Sequence, residues 1–222
     1  MKHVVSRDLH AYWDALRGKR TAPERADIDP AAIRHILAYT FVLEIPRCDK
    51  PVRARKIDVR LSGTRINALF GHDLKGCSFE RLWSPGAGST VDAMLDSVLD
   101  ERAAIVAGAT GGPPGRCPVD IEVLLLPLRH HGSTHSRIFG SMVAHDSPGW
   151  MGLAPIDPLD LRCFRTLIGG AASHDRTTPA PQCRPSWSEP VSQADNARRP
   201  TMPKQIGRFR VYNGGGEGRA LG

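Results

Sequence analysis

The sequence predicts an α+β domain in which consecutive strands form the sheet and the helices lie outside the strand runs. Three observations carry this. Runs with strand character occur at residues 40–45, 56–61, 104–107, 119–128 and 137–145. The strongest helical periodicity falls between the second and third of them, and Gly- and Pro-rich stretches punctuate the connections.

The first twenty residues predict an amphipathic helix. Ser6 can cap it, Leu9, Tyr12, Trp13 and Leu16 follow the i, i+3, i+4, i+7 rule, and Gly18 ends it. Asp29-Pro30 supplies a cap and a first-turn proline for a short second helix with Ile33, Ile36 and Leu37 as its apolar stripe. Thr40 to Ile45 is dense in strand formers and is stopped by Pro46. Lys56 to Leu61 alternates, placing Ile57, Val59 and Leu61 on one face of a half-buried strand that pairs with the one before it.

From Gly63 to Trp83 the residues predict short helical turns broken at Gly71 and Gly76 and ended by Ser84-Pro85-Gly86. Ser89 or Thr90 can then cap a longer helix whose stripe is Val91, Met94, Leu95, Val98 and Leu99. Ala104 to Ala107 and Val119 to Leu128 predict a long hairpin around a Gly/Pro turn. Pro127 has no N–H to give to a ladder, so a bulge or an unpaired edge is expected there. Arg137 to His145 is the last strand, and Trp150 closes the compact region. Asp157-Pro158 predicts one further short helix through Leu167.

Composition bounds function only loosely. The 222 residues are 41% hydrophobic and 24% charged, which allows one domain with long flanks or two small ones. No unbroken apolar run, Val123 to Leu126 included, comes near the roughly 20 residues of a membrane helix. Residues 1–20 lack the apolar centre of a secretion signal, so the expected location is the cytoplasm. Five dispersed cysteines with no C-x-x-C pair read as reduced thiols. Residues 170–222 hold eight Lys+Arg against four Asp+Glu, so +4 of the total +7 sits in a tail rich in Pro, Ser, Gln and Arg. Such a tail cannot bury enough apolar surface to fold and is expected to be disordered.

Two strands, several helical turns, one longer helix and three strands is the element order of the PAS domain. Ser62 to Trp83, with Gly63-Thr64-Arg65, Leu69-Phe70-Gly71 and Gly76-Cys77-Ser78-Phe79-Glu80-Arg81-Leu82, resembles the PAS run that crosses the open face of the sheet. With Tyr12-Trp13, Leu16-Arg17-Gly18, the stretch Pro23 to Pro30 and Leu124 to Leu128, the chain is similar to a bacterial family of stand-alone PAS-like proteins. The resemblance covers about residues 9–150, with a looser echo at Arg208 to Gly216. It implies a five-stranded antiparallel sheet with helices on one face and a role in signal sensing or regulation through protein contacts. It does not imply enzyme activity. The expected organisation is an N-terminal helical extension over 1–38, a PAS-like domain over 39–150, a short helix within 151–169 and a disordered basic tail over 170–222.

Candidate sites follow from this frame. A PAS cavity would be lined by Phe41, Leu43, Leu69, Phe70, Phe79, Leu82, Met94, Val98, Leu125 and Phe139, and the same residues equally suit simple core packing. Arg65, at the start of the helical turns, can bind a carboxylate ligand or pair with Asp92 or Glu101. Apolar positions Leu9, Trp13 and Leu16 on the first helix suggest a homodimer or a docking face for a protein partner.

No cofactor is expected. Haem would need an axial ligand, and Ser89 to Arg102 holds no histidine. Cys77 matches the flavin photosensor run, but the Asn, Arg and Gln of that run are missing. His72 reads as a turn residue. His130, His131 and His135 can present imidazoles to a metal or form a solvated turn. Gly86 to Thr90 can bind an anion or cap a helix. No nucleophile elbow, H-E-x-x-H helix or paired carboxylates point to catalysis. The alternative function is nucleic-acid binding through Arg198, Arg199, Lys204, Arg208 and Arg210 with Phe209 and Tyr212.

Overall fold

The computed structural model describes residues 1–45, 56–130 and 133–167, together with the backbone of 205–206 and 209–210. Residues 1–183 form one compact unit and 184–222 a second. In the first unit the elements are α1 (Val4–Arg17), β1 (Thr40–Glu44), β2 (Asp58–Ser62), α2 (Thr64–Phe70), α3 (Gly88–Leu99), β3 (Ala104–Gly111), β4 (Val119–His130), β5 (Ser133–Ala144) and β6 (Asp160–Leu167). The strands make one antiparallel sheet in the order β2-β1-β5-β4-β3-β6. The second unit contributes β7 (Gln205–Ile206) paired with β8 (Phe209–Arg210). The expected disorder of the tail concerns residues that lie almost wholly outside the described ones.

The inner face of the sheet carries the larger core. Leu43, Val59, Ile105, Ala107, Val123, Leu125, Ile138 and Met142 project from the strands to meet α2, α3 and the 3₁₀ turn Phe79–Leu82. The periodic stripe of α3 is buried as its spacing predicts, with Val91, Met94, Leu95, Val98 and Leu99 all at 1% exposure or less. Phe41 lies flat across Gly140, where a Cβ would come within 2.4 Å of the Phe41 ring and of the Leu124 carbonyl oxygen, and it stacks on Phe79 at 5.9 Å. Only glycine allows that crossing.

The outer face is also covered. Val42, Val106, Leu124, Leu126, Leu128, Phe139 and Val143 pack against α1 and against Ile28, Ile33 and Ile36. Leu9 and Trp13 of α1 are buried there, and the Trp13 indole N–H donates to the Pro127 carbonyl oxygen at 2.9 Å. Pro127 lies past the last β3 partner of β4, so this indole takes the place of a strand neighbour.

Several expectations are corrected. The sheet has six strands, not five, because the segment read as a short helix from Asp157-Pro158 through Leu167 is β6, paired with β3. The helices are not confined to one face. The 1–38 segment is part of the same unit as the sheet, and the second helix expected at 29–37 is instead a series of turns ending in a 3₁₀ turn at Leu37–Tyr39. Helix α1 begins at Val4 with His3 as its cap, and Ser6 lies buried inside it, its hydroxyl 3.4 Å from that of Ser141. Leu61 does not share a face with Ile57 and Val59. A bulge opposite Val42/Leu43 inserts Arg60 and turns Leu61 to the outer side, where it is 48% exposed. Glycines 71 and 76 do mark turns, with φ of 73° and 81°.

Candidate functional site

Most of the residues expected to line a PAS cavity are packed on one another. Leu43, Leu69, Phe70, Phe79, Leu82, Met94, Val98 and Leu125 are all buried in the inner core. Phe139 faces the other way, because adjacent β5 residues alternate and Ile138 takes the inner side. Arg65 is exposed on α2 and pairs with neither Asp92 nor Glu101. Leu9 and Trp13 are spent on the chain's own sheet and Leu16 packs beside them, so α1 does not offer them as an exposed pairing face.

A partly open apolar cleft of about 200 Å³ lies on the outer face instead. Its floor is Val42, Phe139 and Leu128 with Thr40 and Phe41 of β1; one wall is Leu61, Ser62 and Gly63; the roof is Ile28, Pro30, Ile33 and Leu37, with Arg25 also contributing. Two of its residues, Phe41 and Phe139, were among those the sequence suggested. The rest were missed, although the cleft's roof falls in the Pro23 to Pro30 and 29–37 stretches that the sequence singled out for other reasons.

The roof is held by specific bonds. The Asp29 amide donates to the Tyr12 hydroxyl oxygen at 2.8 Å, and the Tyr12 hydroxyl approaches the Asp29 carbonyl oxygen at 3.3 Å. The Glu24 amide donates to Asp27 Oδ2 at 3.1 Å, and Arg20 Nη2 reaches the same oxygen at 2.8 Å. The Arg20 hydrogen bond, with that of the Glu24 amide, holds the Asp27 carboxyl below its ordinary value. At the sheet end the Arg129 amide donates to the Pro23 carbonyl oxygen at 2.9 Å, and Arg129 pairs with Glu24 at 3.3 Å. The wall is set by Gly63, whose amide donates to the Thr40 carbonyl oxygen at 2.8 Å. A Cβ at Gly63 would stand 2.3 Å from the Ala38 carbonyl oxygen, so any side chain there pushes the roof away.

One step along the same face, Glu44 receives Arg60 Nη1 and Arg137 Nη2, each at 2.9 Å. Burial pushes the Glu44 carboxyl up, but the Arg60 hydrogen bond and the charges of Arg137 and Arg60 outweigh it and leave the carboxyl below its ordinary value. Among the described residues the Nε of Arg137 is buried without a partner.

The other candidates resolve as follows. Cys77 is half-buried with a free thiol whose Sγ lies 4.0 Å from the Asp73 carbonyl oxygen, and His72 sits exposed in a turn. Helix α3 starts at Gly88 with Ala87 at its cap position and no side-chain cap bond, so neither Ser89 nor Thr90, which lie inside the helix, caps it as expected. No group of three metal-ligating side chains occurs among the described residues. His131 and the side chain of His135 lie outside those residues, as does the basic cluster from Arg198 to Tyr212 apart from two short backbone stretches. Among the described residues no helix is long and apolar enough to cross a membrane.

Comparison with known families gives one finding: the family model described as PAS domain matches residues 1–143. The match takes in α1 and the cleft's roof as well as the strands through most of β5. No curated protein matches the chain.

Proposed function

The chain belongs to the PAS domain family, and on that footing we propose that it is a cytoplasmic regulatory module that senses a small molecule and acts through contact with a protein partner. The observation that carries the reading is the cleft between the N-terminal segment and the outer face of the sheet. A ligand seated there touches Ile28, Ile33 and Leu37 of the roof and Phe139 and Val42 of the floor together, so its presence bears on how the 24–37 segment lies on the sheet. A partner that reads that segment would then respond to the ligand. We assign the chain no chemical step of its own.

The test is capture of partners from the source cells on immobilised full-length protein, with excess untagged protein as competitor, followed by reconstitution from the two purified proteins. The reading expects a saturable complex of fixed stoichiometry. If no captured protein is displaced by the competitor, or none re-forms a complex when purified, the reading fails.

A further inference from the structure

We propose that the outer cleft binds a small amphipathic carboxylate, with Arg25 as the group that holds its head. The inference rests on the sensory reading only for what binding would signal; the binding itself stands on the following chemistry.

Among the described residues, the cleft's one charged side chain has no protein partner. Thr40 donates its hydroxyl to the Leu37 carbonyl oxygen at 3.0 Å, and the Ser62 hydroxyl donates to Asn67 Oδ1. Arg25 is half-exposed, and its guanidinium makes no hydrogen bond or ion pair among the described residues. The acids of the segments that line the cleft are committed elsewhere: Glu24 to Arg129, Asp27 to Arg20, Glu44 of β1 to Arg60 and Arg137, and Asp29 to the Ala31 amide at 2.9 Å. Five N–H donors in a planar fork beside an apolar hollow match a planar carboxylate on an apolar body. A neutral ligand leaves the guanidinium as it is, and a cation is repelled by it.

Size narrows the class. A volume of about 200 Å³ is small for a drug-sized site. At roughly 30 Å³ per water-sized group it takes on the order of seven heavy atoms, which suits a short acyl or aryl tail with its head at the open side.

The experiment is calorimetric titration of the full chain with octanoate, octylammonium and 1-octanol, with sedimentation of the free protein alongside. Octanoate is expected to saturate a single site and octylammonium to bind at least about tenfold more weakly. Arg25→Gln is expected to weaken octanoate by about ten- to a hundredfold, the loss of one charge-assisted pair, and to leave 1-octanol unchanged. Leu61→Trp, at an exposed position that should not disturb folding, is expected to weaken both by occupying the cleft. The proposal is overturned if octanoate does not saturate, if octylammonium binds equally well, or if Arg25→Gln leaves octanoate unaffected. It is overturned too if the free protein is a dimer that Leu61→Trp disperses, since a second copy then covers the cleft. The competed partner capture uses none of these ligands, so either idea can fail while the other stands.

Discussion

Trp13 joins the N-terminal segment to the sheet through both of its properties, a large apolar surface buried on the outer face and an indole N–H aimed at the carbonyl of Pro127. Trp13→Phe keeps most of the first and removes the second, leaving a buried carbonyl without its donor. Chemical denaturation is expected to show a loss of about 1–3 kcal/mol, and no measurable loss would mean the indole bond is replaced by water. Gly140 is a sharper case. Gly140→Ala forces a methyl into the Phe41 ring and the Leu124 carbonyl, and neither the strand pair nor the stacked ring has room to yield. The expected result is a drop of several degrees or more in melting temperature, comparable to other overpacked cores.

Glu122 ties α1 to β4. Its carboxylate, buried on the outer side of the strand, receives the Lys2 amide at 2.6 Å and the His3 amide at 3.2 Å at the start of the helix. Burial pushes this carboxyl up, yet the Lys2 amide, the Ser6 hydroxyl and the His3 amide together hold it below its ordinary 4.5. A carboxyl lowered in the folded state stabilises fully above its unfolded pKa, and that stabilisation is lost as pH falls through the folded value. Melting measured from pH 7 down to pH 3 is therefore expected to separate wild type from Glu122→Gln near neutrality and to bring them together at the acid end. A constant gap across the range would contradict the assignment.

The two misreadings of the strands, β6 taken for a helix and Leu61 of β2 assigned to the wrong face, have a common reason. In β6 a bulge opposite Gly108/Ala109 inserts Arg162, so the inward-facing Leu161 and Phe164 stand three apart and mimic a helical stripe. In β2 the bulge at Arg60 breaks the alternation that would have kept Leu61 with Val59, and so hides the wall of the cleft. By contrast the stripe of α3, though not its start, was legible, because all five of its residues face one core. Deleting β6 uncovers the β3 edge, and a chain ending at Gly152 is expected to be less stable and to aggregate relative to one ending at Leu167, as light scattering during heating would show.

Both faces of the sheet are roofed, and the sequence held a sign of it. The continuous run Val123 to Leu126 has Val123 and Leu125 on the inner side and Leu124 and Leu126 on the outer, the pattern of a strand buried twice over. An amphipathic reading of α1 registered its stripe but not its destination, because periodicity says that a face is buried and not against what. The cleft was illegible for a related reason: it is assembled from turns at 28–37, a bulged edge strand and three other strands, and no local pattern marks such a meeting.

The placement of ligand binding on the outer face, away from α2 and α3, is tested most directly by amide hydrogen exchange on the full chain with and without octanoate. The account predicts slower exchange confined to peptides spanning 25–40 and 59–63 and the ends of β4 and β5 around Leu128 and Phe139, with 64–111 unchanged. Protection centred on α2 and α3, or none anywhere, would contradict it.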